Sequence, residues 1–376
     1  MVGLFLCLPC DDRGLPAARQ RGKVPSGSRC GVSMKTIFSP RHAGHAGNVE
    51  LEEGGIVPAY EKPSRAEIIR ARINTVSLGP VSEPEEHDLE TAAKVHRSDY
   101  LDFLPTVWPE WEKSGRSGTA MPFAWPTRGL RSDVPPTSII ARLGFYSFDA
   151  GATFVKGTWD AIKSSHDTAM TAADIVRSGE RSAFALCRPP GHHAGSNFMG
   201  GYCFINNAAV AAQRFLDGGA RKVSILDVDY HHGNGTQQIF YARNDVQVVN
   251  LHADPMSEYP FFLGHADETG EGEGEGFNHN FPMPAGTTWA QWAAALDSAC
   301  DLIAGYEPDV LVVSLGVDTF ERDPISRFKL VSDDYPKIGR RIAGLKLPTL
   351  FVMEGGYAVE EIGINAVGVL TGFEEA

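Results

Sequence analysis

"ILDVDYHHGNGT", Ile225 to Thr236, carries an apolar run straight into acids, histidines and glycines. The run that ends there, from Lys222 to Asp227, reads as a strand buried on both faces, because a half-exposed strand would alternate apolar with polar residues. Beyond it Asp227, Asp229 and His231 stand two residues apart, so their side chains share one face while the chain stays extended. Gly233 and Gly235 then offer the backbone freedom to turn. A strand that ends in chemistry points to an open α/β sheet, where ligands bind beyond the carboxyl ends of the strands.

The same rhythm recurs along the chain. Lys35 to Phe38, Arg181 to Leu186, Val246 to Leu251, Asp309 to Leu315 and Thr349 to Met353 also read as strands. Thr158 to Ser178, Asn206 to Leu216, Trp289 to Tyr306 and Tyr335 to Leu345 carry helical spacing between them. The fold class expected is α/β, a central mostly parallel sheet with helices on both faces in a single domain. Two segments interrupt the pattern. Residues 105–136, rich in Trp, Pro, Gly and Arg, read as an inserted loop that covers a site or meets another subunit. Glu268 to Gly276 reads as a flexible acidic loop and not a calcium site, since it lacks Asp-rich ligand spacing.

Composition narrows the function classes. The 376 residues are 43% hydrophobic, enough for a sizeable core, and no run approaches a membrane span. A formal charge of -13 repels nucleic acid and anionic membranes and favours cationic ligands. The six cysteines form no dense disulfide framework, so a reducing, cytoplasmic setting is expected. Residues 1–33 read as a disordered extension before a domain covering 34–376. The Cys7 and Cys10 pair with Cys30 lacks a fourth zinc ligand, and the short apolar start has no basic flank of a signal peptide.

Asp229 and His231 make half of a metal site, and Asp318, just beyond the apolar run Val310 to Leu315, offers the missing ligand. Alone, an Asp in that place would be a turn or helix cap. Together the two carboxylates and one imidazole leave an open coordination position, which suits Zn²⁺, with Fe²⁺ or Co²⁺ as other occupants. "RPPGHHAG", Arg188 to Gly195, adds the tandem His192 and His193. Pro189 and Pro190 stiffen the approach, and Gly191 is expected to free the turn.

Taken together, "RPPGHHAG", "GGYCFINNAAVAA", "LDVDYHHGNGTQ", "SLGVDTFERDP" and "EGGY" resemble the histone deacetylase superfamily, most of all its bacterial acetylpolyamine amidohydrolase branch. The resemblance spans about Met34 to Glu374 and implies an arginase/deacetylase-like fold. It also implies Asp229, His231 and Asp318 as zinc ligands, His193 as general base and later acid, and His192 as its electrostatic partner. Tyr357 becomes the phenol that donates to the substrate carbonyl. Asp227 stands behind His192 and beside a structural K⁺, and Asn234 replaces the acid that many members place behind the second histidine. Asn250 takes a position expected to be Ser at the potassium site. Tyr202 and Tyr259, with Gly201, fall at the walls of a narrow tunnel. Glu50 falls near its mouth, where Ile140 and Gly151 replace further acids and Asp149 lies nearby. The branch uses a loop such as 105–136 to restrict entry and build a homodimer.

The reaction so implied is zinc-dependent removal of acetyl groups from acetylated polyamines or similar small cationic amines, releasing acetate. A protein lysine deacylase is the alternative on the same chemistry. A silent acetyl-ligand binder would lack the working histidines and phenol, and an arginase-like binuclear manganese hydrolase would need further ligands that no motif supplies.

Overall fold

In the computed structural model, which describes residues 33–52 and 54–376, ten strands are present. They are β1 (Lys35–Ile37), β2 (Val49–Glu52), β3 (Gly55–Pro58), β4 (Val81–Ser82), β5 (Ser182–Ala185), β6 (Val223–Asp227), β7 (Val246–Ala253), β8 (Asn278–Met283), β9 (Val310–Leu315) and β10 (Thr349–Met353). Eight form one sheet in the order β4-β1-β5-β10-β9-β6-β7-β8, and every pair in it is parallel. The other two, β2 and β3, form a separate antiparallel hairpin.

Alternation along the central strands explains the two-sided burial. Val223, Ile225, Val310, Val312, Leu350 and Val352 pack on one face, with the helices Thr158–Arg177 and Asn207–Asp217. Leu226, Leu311, Val313, Phe351 and Met353 pack on the other, with Ser64–Val76, Trp289–Tyr306, Tyr335–Ala343 and Ile362–Glu374. A parallel sheet covered in this way reads as continuous apolar runs, which is why its strands are visible in the sequence.

Several expectations need correction. Residues 105–136 are not wholly a loop: a 3-10 turn, Leu104–Thr106, and a helix, Val107–Lys113, open the segment, and Ala120 bridges to Phe154. The acidic loop at 268–276 is anchored. Glu268 Oε2 accepts from Gln237 Nε2 at 2.6 Å and from the Gly264 amide at 2.8 Å. Gly191, Gly233 and Gly235 do not serve by left-handed backbone, because none has a positive φ. They serve by clearance. A Cβ on Gly191 would lie 2.5 Å from the Asn207 nitrogen, one on Gly233 2.4 Å from Asp227 Oδ2, and one on Gly235 2.3 Å from the Ala194 oxygen. The readings made for residues 1–32 lie outside the described residues.

No helix among the described residues is long and apolar enough to cross a membrane. Because Phe351 is fully buried on the central strand β10, Phe351→Ala is expected to cost about 3–5 kcal/mol. A urea titration checks this, and a midpoint equal to the parent's would contradict the assignment of that face to the core.

Candidate active site

Four adjacent central strands, β5, β10, β9 and β6, release their carboxyl ends at one edge of the sheet. The chain beyond β6 carries Asp229 and His231, that beyond β9 carries Asp318, that beyond β10 carries Glu354 and Tyr357, and that beyond β5 carries His192 and His193. The topology thus brings residues up to 165 positions apart in the chain to one place, here His192 and Tyr357.

Asp229, His231 and Asp318 are buried, and their ligand atoms lie within 4.8 Å of one another. His231 Nδ1 sits 3.1 Å from Asp318 Oδ2 and 3.4 Å from Asp229 Oδ1. Backbone amides fix both carboxylates. Gly355 N donates to Asp229 Oδ2 at 2.8 Å, His231 N to Asp229 Oδ1 at 2.9 Å, and Tyr230 N to Asp318 Oδ1 at 2.8 Å. Burial, reinforced by the Asp229 charge, raises Asp318 to about 7. Two carboxylates crowded in a buried pocket with one imidazole are stabilised by a cation. Close walls preserve the cradle: a Cβ on Gly316 would lie 2.0 Å from Asp229 Oδ2, and one on Gly355 2.5 Å from both Asp229 Oδ2 and Asp318 Oδ2. The donor set fits a divalent metal of the zinc class.

His192 and His193 stand with ring centroids 4.0 Å apart. His192 Nδ1 is 3.0 Å from Asp227 Oδ2, and His193 Nδ1 is 2.7 Å from Asn234 Oδ1. These partners set different charges. Burial opposes a charged His192, but Asp229 and Asp227 outweigh it and raise the imidazole to about 10. Burial, together with the charges of His192 and His231, pushes His193 well below its ordinary value. The amide of Asn234 holds the proton on Nδ1 and leaves Nε2 of His193 as an acceptor.

A cavity of about 700 Å³ leads down to this group. His193, His231 and Tyr357 line it, together with Tyr202, Tyr259, Gly201 and Glu50. Tyr259 meets the His193 ring edge-on at 5.2 Å and stacks on Phe148 at 5.9 Å, while Tyr202 lies 5.7 Å from Tyr357. Gly201 has φ +49, and a Cβ there would meet His193 Cδ2 at 2.4 Å. Tyr202, at φ 67, follows it in the same left-handed region.

Four acids of the cavity wall are engaged differently, Glu52 accepting from the Tyr60 phenol at 3.4 Å. Asp149 Oδ2 accepts from the Tyr259 phenol at 2.7 Å and from Gly201 N at 3.0 Å, and Glu258 pairs with Arg327. Glu50 hydrogen-bonds the Tyr202 phenol and the Tyr60 backbone amide, and its Oε2 is buried. Burial raises Glu50 above the ordinary carboxylate value. Of the two positions without acids, Gly151 lines the cavity, whereas Ile140 packs on the core.

The sequence did not single out five contributors. Phe148 and Trp125 line the cavity, the latter from the 105–136 segment. Asp323 Oδ2 accepts from Tyr357 N at 2.7 Å and Ala358 N at 3.2 Å. Glu354 Oε2 accepts from Gly191 N at 2.6 Å and His192 N at 3.2 Å. Arg65 donates to the Glu354 and Gly356 carbonyls, both at 2.6 Å, with its guanidinium 4.7 Å over the Tyr357 ring. Only Asp323 and Glu354 carried a signal, lying inside "ERDP" and "EGGY".

Comparison with known proteins agrees with this geometry. The family described as histone deacetylase domain matches residues 59–372. Acetylpolyamine amidohydrolase 1 of Pseudomonas aeruginosa is 57% identical over 344 residues, covering 91% of this chain and 99% of that protein. Acetylpolyamine amidohydrolase of Mycoplana ramosa is 50% identical over 339 residues, covering 90% and 99%. The crystal structure of an acetylpolyamine aminohydrolase from Burkholderia pseudomallei superposes with a TM-score of 0.86 at 38% identity, covering 91% of this chain and 98% of that one.

The clearance at Gly355 gives a direct test of the cradle. Gly355→Ala drives a methyl into both aspartates and is expected to weaken metal binding about 10–100-fold, the range seen when ligand supports are disturbed. Competition with a chromophoric chelator measures it, and unchanged affinity would show that this wall does not shape the metal site.

Proposed function

Because this chain belongs to the histone deacetylase family, we propose that it is a metal-dependent amidohydrolase that removes the acetyl group from acetylated polyamines and releases acetate. One observation carries the reading: a cavity that reaches the imidazole acceptor of His193, the phenol of Tyr357 and His231, whose ring joins Asp229 and Asp318, is walled by the acids Glu50, Glu52, Asp149 and Glu258. Such an acidic wall suits an ammonium group of the substrate. The printed names of the relatives support the same substrate class.

When a divalent metal is held by Asp229, His231 and Asp318, it supplies Lewis acidity to the carbonyl and lowers the pKa of water toward ~7. The protein's own groups do the rest. Tyr357 donates a hydrogen bond to the carbonyl oxygen and stabilises the charge that grows on it. His193 takes the proton of the attacking water through Nε2, its Nδ1 proton being held by Asn234. The same imidazole then protonates the departing amine nitrogen, the C–N bond breaks, and acetate and free amine result. His192, kept charged between Asp227 and Asp229, holds the local field and does not exchange that proton.

The finer identities belong to the same proposal. Zn²⁺ is the resident metal, on the strength of its donor set. Asp227 and Asn250 would stand beside a structural K⁺, with Asn250 Oδ1 accepting from Gly233 N at 3.2 Å. A homodimer forms through 105–136, supported by Phe123, Leu130 and Val134, which are exposed there. The three cysteines among the described residues are free and buried, in keeping with a cytoplasmic setting.

Tyr357→Phe is expected to lower kcat about 10²–10³-fold, the range for loss of one oxyanion donor, while metal content stays at the parent level; near-parent turnover would remove Tyr357 from this role. Glu50→Gln is expected to lower kcat/KM for acetylcadaverine about tenfold and to leave a neutral N-alkylacetamide unaffected, a difference of about 1.4 kcal/mol. Equal losses on both substrates would sink the ammonium contact. Parent enzyme is expected to prefer acetylcadaverine over an acetyl-lysine peptide in kcat/KM, and peptide turnover equal to or above it would restore the protein deacylase reading.

A further inference from the structure

Glu61 lies between the hairpin β2–β3, which carries Glu50, and the helix Ser64–Val76, which carries Arg65. Its side chain is 1% exposed, and it is not among the residues lining the cavity. A single oxygen, Oε1, accepts from two guanidiniums: Arg65 Nη1 at 2.7 Å and Arg188 Nε at 2.8 Å. Each arginine is committed elsewhere to backbone. Arg65 holds the carbonyls of Glu354 and Gly356, on either side of Gly355 and just before Tyr357. Arg188 donates to the carbonyls of His42 at 2.6 Å and His45 at 2.7 Å. Only Pro189, Pro190 and Gly191 separate it from His192.

We propose that Glu61 is a positioning residue for the hydrolytic reaction proposed above, coupling the loop that presents Tyr357 to the loop that presents His192 and His193. The coupling is electrostatic and geometric at once. Two buried cations of like charge stay close together only with an anion between them. Their planar forks then fix the direction of every carbonyl they hold. Although burial works against ionisation of Glu61, Arg188 and Arg65 outweigh it and hold the carboxylate down at about 2. Without that charge the guanidiniums repel, Arg65 moves relative to the Gly356 carbonyl, and the phenol moves relative to the imidazole acceptor. A displacement near 1 Å at a reacting group costs up to about 100-fold in rate. Glu61 touches neither substrate nor metal ligand, so its effect belongs to kcat and not to binding.

The test uses the metal-loaded full chain and Glu61→Gln. Expected are a kcat on acetylcadaverine lowered about 10–100-fold, a KM within about twofold of parent, and unchanged metal stoichiometry. In a Tyr357→Phe background the same substitution is expected to add less than about twofold, because residues acting through one group are not additive. A parent-like kcat, or a full multiplicative loss in the Tyr357→Phe background, overturns the proposal. Amide hydrogen exchange gives a readout independent of turnover. Residues 354–358 are expected to exchange at least about tenfold faster in Glu61→Gln while β7 is unchanged, and parent-like exchange overturns the coupling. A parent chain that hydrolyses no acetylated amine would refute the proposed reaction without touching this exchange result. Should Glu61→Gln not fold, Arg65→Lys, which keeps the charge but loses the fork, is expected to show the same kcat and exchange changes, and parent-like values for it overturn the proposal.

Discussion

Asp229 sits where three strand ends approach so closely that two of them leave no room for a side chain. Its Oδ2 accepts from Gly355 N at 2.8 Å, and the spaces toward Gly316 and Gly355 would not admit even a Cβ. This confinement depends on the in-register parallel pairing of β6, β9 and β10, which delivers the three ends to one level. The rest of the site follows. His231 and Asp318 are brought within ligand distance, the charge of His192 is balanced by Asp227 and Asp229, and Tyr357 stands two residues after Gly355, one of the two glycines that grant Asp229 its space.

The electrostatic plan separates acids by whether they already have a partner. Asp149 is satisfied by the Tyr259 phenol and two backbone amides, and Glu258 by Arg327. Glu61 balances two arginines. Glu50 lines the cavity and has no cationic partner, its carboxylate meeting the Tyr202 phenol and the Tyr60 amide. Acids in the cavity wall favour a cationic guest, and the chain's overall charge of -13 acts in the same direction at longer range.

How much of this was legible depended on where each element sits in the sheet. The central strands are buried on both faces and so advertise themselves as apolar runs; Thr349 to Met353 was read to the residue. The edge strand β8, "NHNFPM", carries polar residues and a proline that an interior strand would refuse, and it went unread. The helix Ile362–Glu374 was missed because Gly363, Gly368 and Gly372 look like turn signals. In the structure a Cβ on Gly372 would lie 2.0 Å from the Pro336 carbonyl, so the glycine serves close helix packing. Motif residues that face the cavity were found because chemistry limits their identity. Arg65 and Glu61 were not, since a lone "EKPSR" before a helix has no distinguishing spacing, and their partners lie 127 to 291 residues away.

The central claim is that one metal ion, held by Asp229, His231 and Asp318, supports hydrolysis of an acetylated amine at this site. Titrating the metal-free chain with zinc while following acetate release from acetylputrescine tests it most directly. The rate should rise linearly and level off at one equivalent per chain. No acetate at any loading, or a rise that continues to two equivalents, would contradict it.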